Sequence, residues 1–122
     1  MTTPRRRLGD LGERLAAEYL EGLGHRVVAT NVRRREGEID LITVEGDTLV
    51  FVEVKTRRTS DYGGAISALS AAKQRRMAAL AEAYCAEHPE LPQQARVDLV
   101  AIDLGPAGEP PRVEHVRSAV EG

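Results

Sequence analysis

Apolar residues recur at helical spacing from Leu8 through Leu11, Leu15, Tyr19 and Leu23, with Asp10 placed to cap the helix and Gly22 and Gly24 placed to stop it. The spacing predicts a first helix over residues 11–22, preceded by a mobile basic tail over residues 1–8. Residues 25–29 read as a short strand and residues 31–36 as a basic loop or strand extension. Two β-rich runs, residues 38–44 and 49–56, flank Glu45-Gly46-Asp47-Thr48, a hairpin signal with Gly first in the tight turn. A second helical stripe, Leu69, Ala72, Met77, Leu80 and Tyr84, predicts a helix over residues 67–87 that Pro89 and Pro92 keep from continuing. Residues 96–103 then read as a strand, 105–111 as a turn-rich loop and 112–116 as a short edge strand. The order αβββαβ(β) is that of an α/β mixed sheet with flanking helices, and the second helix is long enough to link two parallel strands.

Composition narrows the class. A chain of 122 residues with 42% hydrophobic and 30% charged residues fits one compact domain spanning residues 1–122. Four aromatic residues are too few for the stacking platforms of sequence-tolerant single-strand binders. Cys85 is the only cysteine, which excludes an intramolecular disulfide and a cysteine zinc knuckle and suits a reducing compartment. No apolar stretch approaches a membrane span and no signal-like h-region follows the basic start, so a cytoplasmic protein away from membranes is expected.

The net charge of -2 hides a segregation. Residues 1–36 carry +3, residues 37–55 carry −4, residues 56–76 carry +4 and residues 77–122 carry −5. An acidic segment between two basic ones fits a cation site set between phosphate-binding shoulders, and equally fits solvated surface.

The hairpin supplies the candidate chemistry. If it closes around Gly46 and Asp47, Val44 faces Leu49, Ile42 faces Phe51 and Leu41 faces Val52, a register supported by the hydrophobic match. The same register sets Asp40 opposite Glu53 and Glu38 opposite Lys55. Two facing carboxylates are destabilising unless a proton or a cation sits between them. Hard oxygen ligands with few protein donors suit Mg²⁺ or Mn²⁺, with waters completing the octahedron and the Val54 carbonyl available as a further ligand. Lys55, two residues past Glu53, points to the same side, where it can hold a water and offset charge on a phosphate. The alternative is a cross-strand Glu38–Lys55 ion pair with Asp40 and Glu53 facing water on an open sheet. Glu13 and Glu18 flank opposite rims of the first helix's apolar arc, and the pattern does not choose between them.

Gly37-Glu-Ile-Asp-Leu41 followed by Phe51-Val-Glu-Val-Lys-Thr-Arg57 resembles the YraN-like family of small bacterial proteins. Gly9, Gly12, Glu13, Ala17, Tyr19 and Leu20, then Asn31, Arg33, Tyr62-Gly63, Lys73 and Val97-Asp-Leu-Val100, extend the resemblance over nearly the whole chain. It implies a fold similar to archaeal Holliday junction resolvases in the PD-(D/E)xK nuclease superfamily, a restriction-endonuclease-like mixed β-sheet with flanking helices. It further implies that Asp40 and Glu53 are metal-binding carboxylates, Lys55 the catalytic lysine and Glu13 the acidic residue that the first helix adds to the site. Ile39 stands where the superfamily motif has Pro.

The expectation is a Mg²⁺- or Mn²⁺-dependent endonuclease acting on structured or branched DNA, with a non-catalytic nucleic-acid-binding or repair-partner module of the same fold as the alternative. Arg33, Arg34 and Arg35 before the acidic strand, Arg57 and Arg58 after the lysine strand, and Lys73, Arg75 and Arg76 on the second helix are candidate phosphate contacts. Symmetric cutting of a four-way junction would require a homodimer, for which the sequence identifies no face. His25, His88 and His115 lack close ligand spacing and read as surface or structural residues, Cys85 as packing, and Asp98 as a strand-end polar residue or a supporting neighbour of the metal ligands.

Overall fold

The computed structural model describes residues 4–58, 69–106 and 108–119. In chain order it contains α1 (Pro4–Gly22), β1 (Arg26–Arg34), β2 (Gly37–Glu45), β3 (Thr48–Arg57), α2 (Ala71–Glu87), β4 (Gln94–Asp103) and β5 (Arg112–Val116). The strands form one five-stranded sheet in the order β1-β2-β3-β4-β5. Neighbours run antiparallel except β3 and β4, which are parallel and joined through α2. The anticipated mixed α/β sheet with two helices is therefore present.

Alternation along β3 explains the layering. Leu49 and Phe51 join Met77, Leu80 and Tyr84 of α2 in one core, while Val50 and Val52 join Ala16 and Leu20 of α1 in another. Strand β4 splits the same way, with Val97, Leu99 and Ala101 toward α2 and Val100 and Ile102 toward α1. A strand covered on both faces reads as a nearly unbroken apolar run, which is why Leu49-Val-Phe-Val52 shows no polar alternation. Each fully buried side chain of this kind contributes roughly 1.5–3 kcal/mol.

The hairpin register is as anticipated, with Leu41–Val52, Ile42–Phe51 and Val44–Leu49 paired. Glu45 pairs with Thr48, and Gly46 at φ 58 followed by a negative φ at Asp47 makes a two-residue turn with glycine at its first position. Strand β1 is longer than expected and irregular: its register against β2 shifts between Val27 and Ala29, and Asn31 adopts φ 49.

Both helices differ from the sequence pattern at their starts. Helix α1 begins at Pro4, so residues Arg7 and Leu8, read as tail, are helical and Asp10 lies inside the helix rather than capping it. Proline is well suited to a first helical turn because its missing N–H has no partner there. The line of α1 buried against the sheet is Gly12, Ala16 and Leu20, while Leu8, Leu11, Leu15 and Tyr19 are half-buried and Leu23 is exposed. Helix α2 begins at Ala71, where the Ser70 Oγ accepts the Lys73 N–H at 3.1 Å. Ala72 is exposed, outside the buried line of Met77, Leu80, Ala81, Tyr84 and Cys85. Cys85 packs in the core, and burial pushes its thiol up. The predicted loop at residues 61–64, Tyr62-Gly63 and the helix start at residue 67 lie outside the described residues. Among the described residues no helix is long and apolar enough to cross a membrane.

Gly12 is needed for its size. A Cβ there would overlap the Thr56 side chain, 2.8 Å from its Cβ and 2.9 Å from its Cγ2. Thr is β-branched and stiff, so the helix must move instead. Gly12→Ala should therefore lower stability by roughly 1–3 kcal/mol, read as a fall in the urea midpoint, although alanine is the better helix former. An unchanged or raised midpoint would refute the close approach of α1 to β3.

Candidate metal and nucleic-acid site

The β2–β3 ladder stops at Leu41–Val52, so the expected pairs Asp40–Glu53 and Glu38–Lys55 do not form. On the other side of β2, the register against β1 runs through Thr30–Leu41 and resumes at Val32–Ile39, skipping Asn31 and Asp40. Asn31 is the residue in the left-handed region, and beyond it Ile39 lies in the α2-side core with Ile42, where strict alternation would have sent it to the α1 side. The two strands jog together at this point. Asp40 and Glu53 thereby avoid the direct opposition that would be costly for two poorly solvated carboxylates.

Strand β3 does not follow the jog; it stays paired to β4 as far as Arg57–Asp103. Where the ladder to β2 ends, the Val54 N–H donates to Asp40 Oδ2 at 2.8 Å, a side chain taking the place of a strand carbonyl. A strand residue's C=O leaves by the same edge as its N–H, so the Val54 carbonyl faces the same opening. Asp40, Glu53 and Lys73 line two adjoining clefts. One, of about 470 Å³, runs under α2 past Glu38 and Arg76. The other, of about 450 Å³, runs past α1 and also takes in Glu13, Val54 and Lys55.

Four carboxyl groups crowd this opening. Burial pushes the Asp40 carboxyl up to about 7, reinforced by the Glu53, Glu13 and Glu38 charges and opposed by the Val54 N–H. Glu13 is also raised, first by burial, while Asn31 Nδ2 donates to its Oε2 at 3.4 Å and works the other way. Glu53 is buried and its Oε1 is ion-paired with Lys73 Nζ. Lys55 is exposed at the mouth of the α1-side cleft. Glu18 is exposed and lines neither cleft, so of the two helix-rim candidates Glu13 is the one brought to the carboxylates.

Among the described residues no three His, Cys, Asp or Glu side chains form a ready cation cage. What the clefts do offer at Asp40, Glu53 and the Val54 carbonyl is hard oxygen donors, the donor class that Mg²⁺ takes while keeping several of its waters. A separate cleft of about 440 Å³ between α2 and the start of β4 is lined by Ala78, Ala81, Cys85 and Val97 and holds no such facing acids.

The basic residues are less convergent than the sequence suggests. Arg57 is turned onto β4, its Nε and Nη2 donating to Asp103 at 2.8 and 3.3 Å with 9% of the side chain exposed, which makes it a structural ion pair instead of a phosphate contact. Arg34 reaches Glu87 at 2.9 Å near the end of α2 and lies 6.0 Å from the Tyr84 ring centre. Arg33 stands 3.7 Å from Glu38 at the cleft rim, and Arg35 and Arg75 are exposed. Arg58 is exposed beside Leu8, Leu11 and Leu104. Among the described residues Lys55, Lys73 and Arg76 are the cations lining the two clefts.

Asp98 belongs elsewhere. It is fully buried and accepts from Arg96 Nε at 2.9 Å and Nη2 at 3.2 Å and from the Ser118 N–H at 3.0 Å, with His115 Nε2 2.8 Å away. Burial alone would raise it, but these donors outweigh burial and hold the carboxyl below its usual range. His25 is buried 2.8 Å from Thr43 Oγ1, with its Nε2 3.1 Å from Glu45 but off the line of a hydrogen bond, and Tyr19 lies edge-on to His115. His25 and His115 are structural, while His88 caps α2 and sits 3.0 Å from Glu90.

Two contacts at the site are not apparent from the chain: Lys73 on Glu53, and Asn31 on Glu13. An asparagine beside a break in a strand pattern is a signal for the second, since Asn tolerates the left-handed region.

The raised Asp40 carboxyl sets a pH dependence. Folded, the group keeps its proton up to about 7; unfolded it loses it near 3.8, so stability falls as pH rises between those values and then levels off. His25, lowered by burial, acts in the opposite sense, its contribution being lost as pH falls through 6.5. Asp40→Asn removes only the first effect. Urea denaturation in EDTA should find the variant more stable than the parent by about 4 kcal/mol at about pH 8 and nearly equal to it near pH 4. A constant difference across that range would show that Asp40 does not hold the proton.

A family model described as Uncharacterised protein family UPF0102 matches residues 12–102, a stretch that contains Glu13, Asp40, Glu53, Lys55 and Lys73. The chain is 52% identical over 103 residues to a UPF0102 protein of Symbiobacterium thermophilum, covering 84% of this chain and 87% of the relative. It is 48% identical over 110 residues to one from Arthrobacter sp., covering 90% and 92%. With one from Chloroflexus aurantiacus it shares 44% over 122 residues, 98% of each chain. The YraN-like resemblance therefore holds at the level of family, from the helix that carries Glu13 to the strand that supports Glu53: the chain belongs to the UPF0102 family.

Proposed function

We propose that this protein is a divalent-metal-dependent endonuclease that hydrolyses phosphodiester bonds in structured or branched DNA, built on a restriction-endonuclease-like sheet. The observation that carries the reading is the separation of β2 from β3 at Asp40, which leaves Asp40, Glu53, the edge of Val54 and Lys55 on connected clefts with Glu13 beside them. Asp40, Glu53 and the Val54 carbonyl would hold Mg²⁺ or Mn²⁺. Such an ion, when bound, acts as a Lewis acid on the phosphate and lowers the pKa of a bound water. Lys55, at the cleft mouth, offsets the negative charge that builds on the phosphate as water adds to phosphorus and the P–O bond to the leaving sugar oxygen breaks. Glu13 orients water from the α1 side. Arg76 and Arg33 at the rim of the α2-side cleft give sequence-independent phosphate contacts, whose affinity falls steeply with salt.

A non-catalytic nucleic-acid-binding module is the second reading, favoured by one observation: Lys73 already neutralises Glu53, so the fold does not need an ion there. The two readings separate in one assay. Labelled four-way junction, flap, single-strand and duplex DNA are incubated with the protein in Mg²⁺ or Mn²⁺, beside Asp40→Asn and Lys55→Ala. The nuclease cuts at least one structure only with metal, Asp40→Asn loses cutting, and Lys55→Ala slows it by roughly 100-fold while binding metal normally. DNA binding without cutting moves the protein to the second reading.

A further inference from the structure

Lys73 occupies an unusual place for a residue with a phosphate-contact role. Its ammonium is paired with Glu53 Oε1, and the residue lines both the α1-side and the α2-side cleft, as Asp40 and Glu53 also do. Its backbone is fixed, because its N–H is held by the Ser70 cap at the start of α2. Its side chain is not: 36% of it is exposed, against 11% for Glu53, and a four-carbon stem can carry the charge several ångströms without moving the helix. Arg76, one turn further along α2, lines the same cleft and marks where an anionic backbone would approach.

A carboxylate oxygen that accepts an ammonium is not open to a divalent cation, because the two positive charges repel at such separation. Three further acids, Asp40, Glu13 and Glu38, lie close to this carboxylate, and Asp40 is pushed toward holding a proton. At Glu53 itself the chain supplies a cation of its own, Lys73.

We propose that Lys73 holds the position of the divalent cation on Glu53 until a phosphate of the nucleic acid draws its ammonium away, so that metal and nucleic acid bind cooperatively. The proposal rests on the reading of Asp40 and Glu53 as cation ligands. A phosphate in the cleft offers Lys73 a second anionic partner, the vacated Glu53 becomes available to the ion, and the ion in turn keeps Lys73 on the phosphate. Each ligand then tightens the other by the same factor, as linkage requires. In the absence of nucleic acid the site stays weakly loaded.

The test is a Mn²⁺ titration followed by the loss of the free-ion electron paramagnetic resonance signal, with and without a phosphorothioate four-way junction that resists hydrolysis. Wild-type protein should bind Mn²⁺ roughly tenfold more tightly with the junction present. Lys73→Gln should bind Mn²⁺ about tenfold more tightly than wild type on its own and gain little from the junction. Arg26→Gln removes the same charge from the exposed start of β1, away from both clefts, and should leave both the intrinsic Mn²⁺ affinity and the coupling in place. Lys73→Arg keeps a cation on Glu53 and should behave like wild type. Equal Mn²⁺ affinity of the wild type with and without junction overturns the proposal, even if Lys73→Gln fails to fold. Equal effects of Lys73→Gln and Arg26→Gln also overturn it, since they would reflect net charge alone. Asp40→Asn separates the two levels of inference: loss of Mn²⁺ binding in that variant, with no Lys73 effect, leaves the metal-site reading standing and removes only the coupling. Mn²⁺ binding that ignores Asp40→Asn removes both.

Discussion

Ten consecutive residues of β3 pair in parallel with ten of β4, and a parallel pair can be closed only by a crossover long enough to hold a helix. From that constraint the rest follows. The crossover supplies α2, which covers one face of the central strands and leaves the other to α1, so both faces of β3 and β4 are apolar. It also brings the first turn of α2, with Lys73, back over the sheet on the side that carries Glu53. Because β3 gains its support from β4, it can run straight on past Val52 when β2 leaves it. An opening between two strands would fray a simple hairpin; here it is held by the neighbour on the other side.

Asp40 and Asp98 show how one residue type becomes two kinds of group. Asp98 is fully buried, yet Arg96, His115 and the Ser118 N–H supply enough donors to hold it ionised. Asp40 is less enclosed but accepts one backbone N–H among three acidic neighbours, and it holds its proton toward neutrality. Burial by itself does not set the outcome; the number of donors offered to the charged form does. The Asp98 network ties β4, β5 and the Glu45 end of β2 together, and the Asp40 group sits where such ties are missing.

How much of this could be read from the chain depended on whether the deciding contact was local. The hairpin register was legible, because Gly46-Asp47 and the facing apolar residues fix it within a dozen positions. The carboxylates and Lys55 were legible as one group, but their facing pairs were not, since the ladder ends before Asp40 and the Val54 N–H goes to the Asp40 side chain instead of a strand carbonyl. The contact line of α1 was hidden because Gly12 and Ala16 pack by being small and register weakly on any hydrophobic count. Arg57 looked free until the parallel register set Asp103 directly across from it. Lys73 on Glu53 and Asp98 with His115 each depend on a return of the chain that no local pattern encodes.

The jog at Asn31 has an effect on the outer rim of the molecule as well. Strand β1 is an edge, and an unbroken edge of nine residues is a template on which another chain can add a strand. The register shift after Val27 and the left-handed Asn31 interrupt its row of outward N–H and C=O groups twice. The opposite edge, β5, is five residues long and carries Arg112 and Glu114. The distortion that opens the carboxylate clefts on the inner side of β1 and β2 thus also blunts the sheet against growing sideways into aggregates.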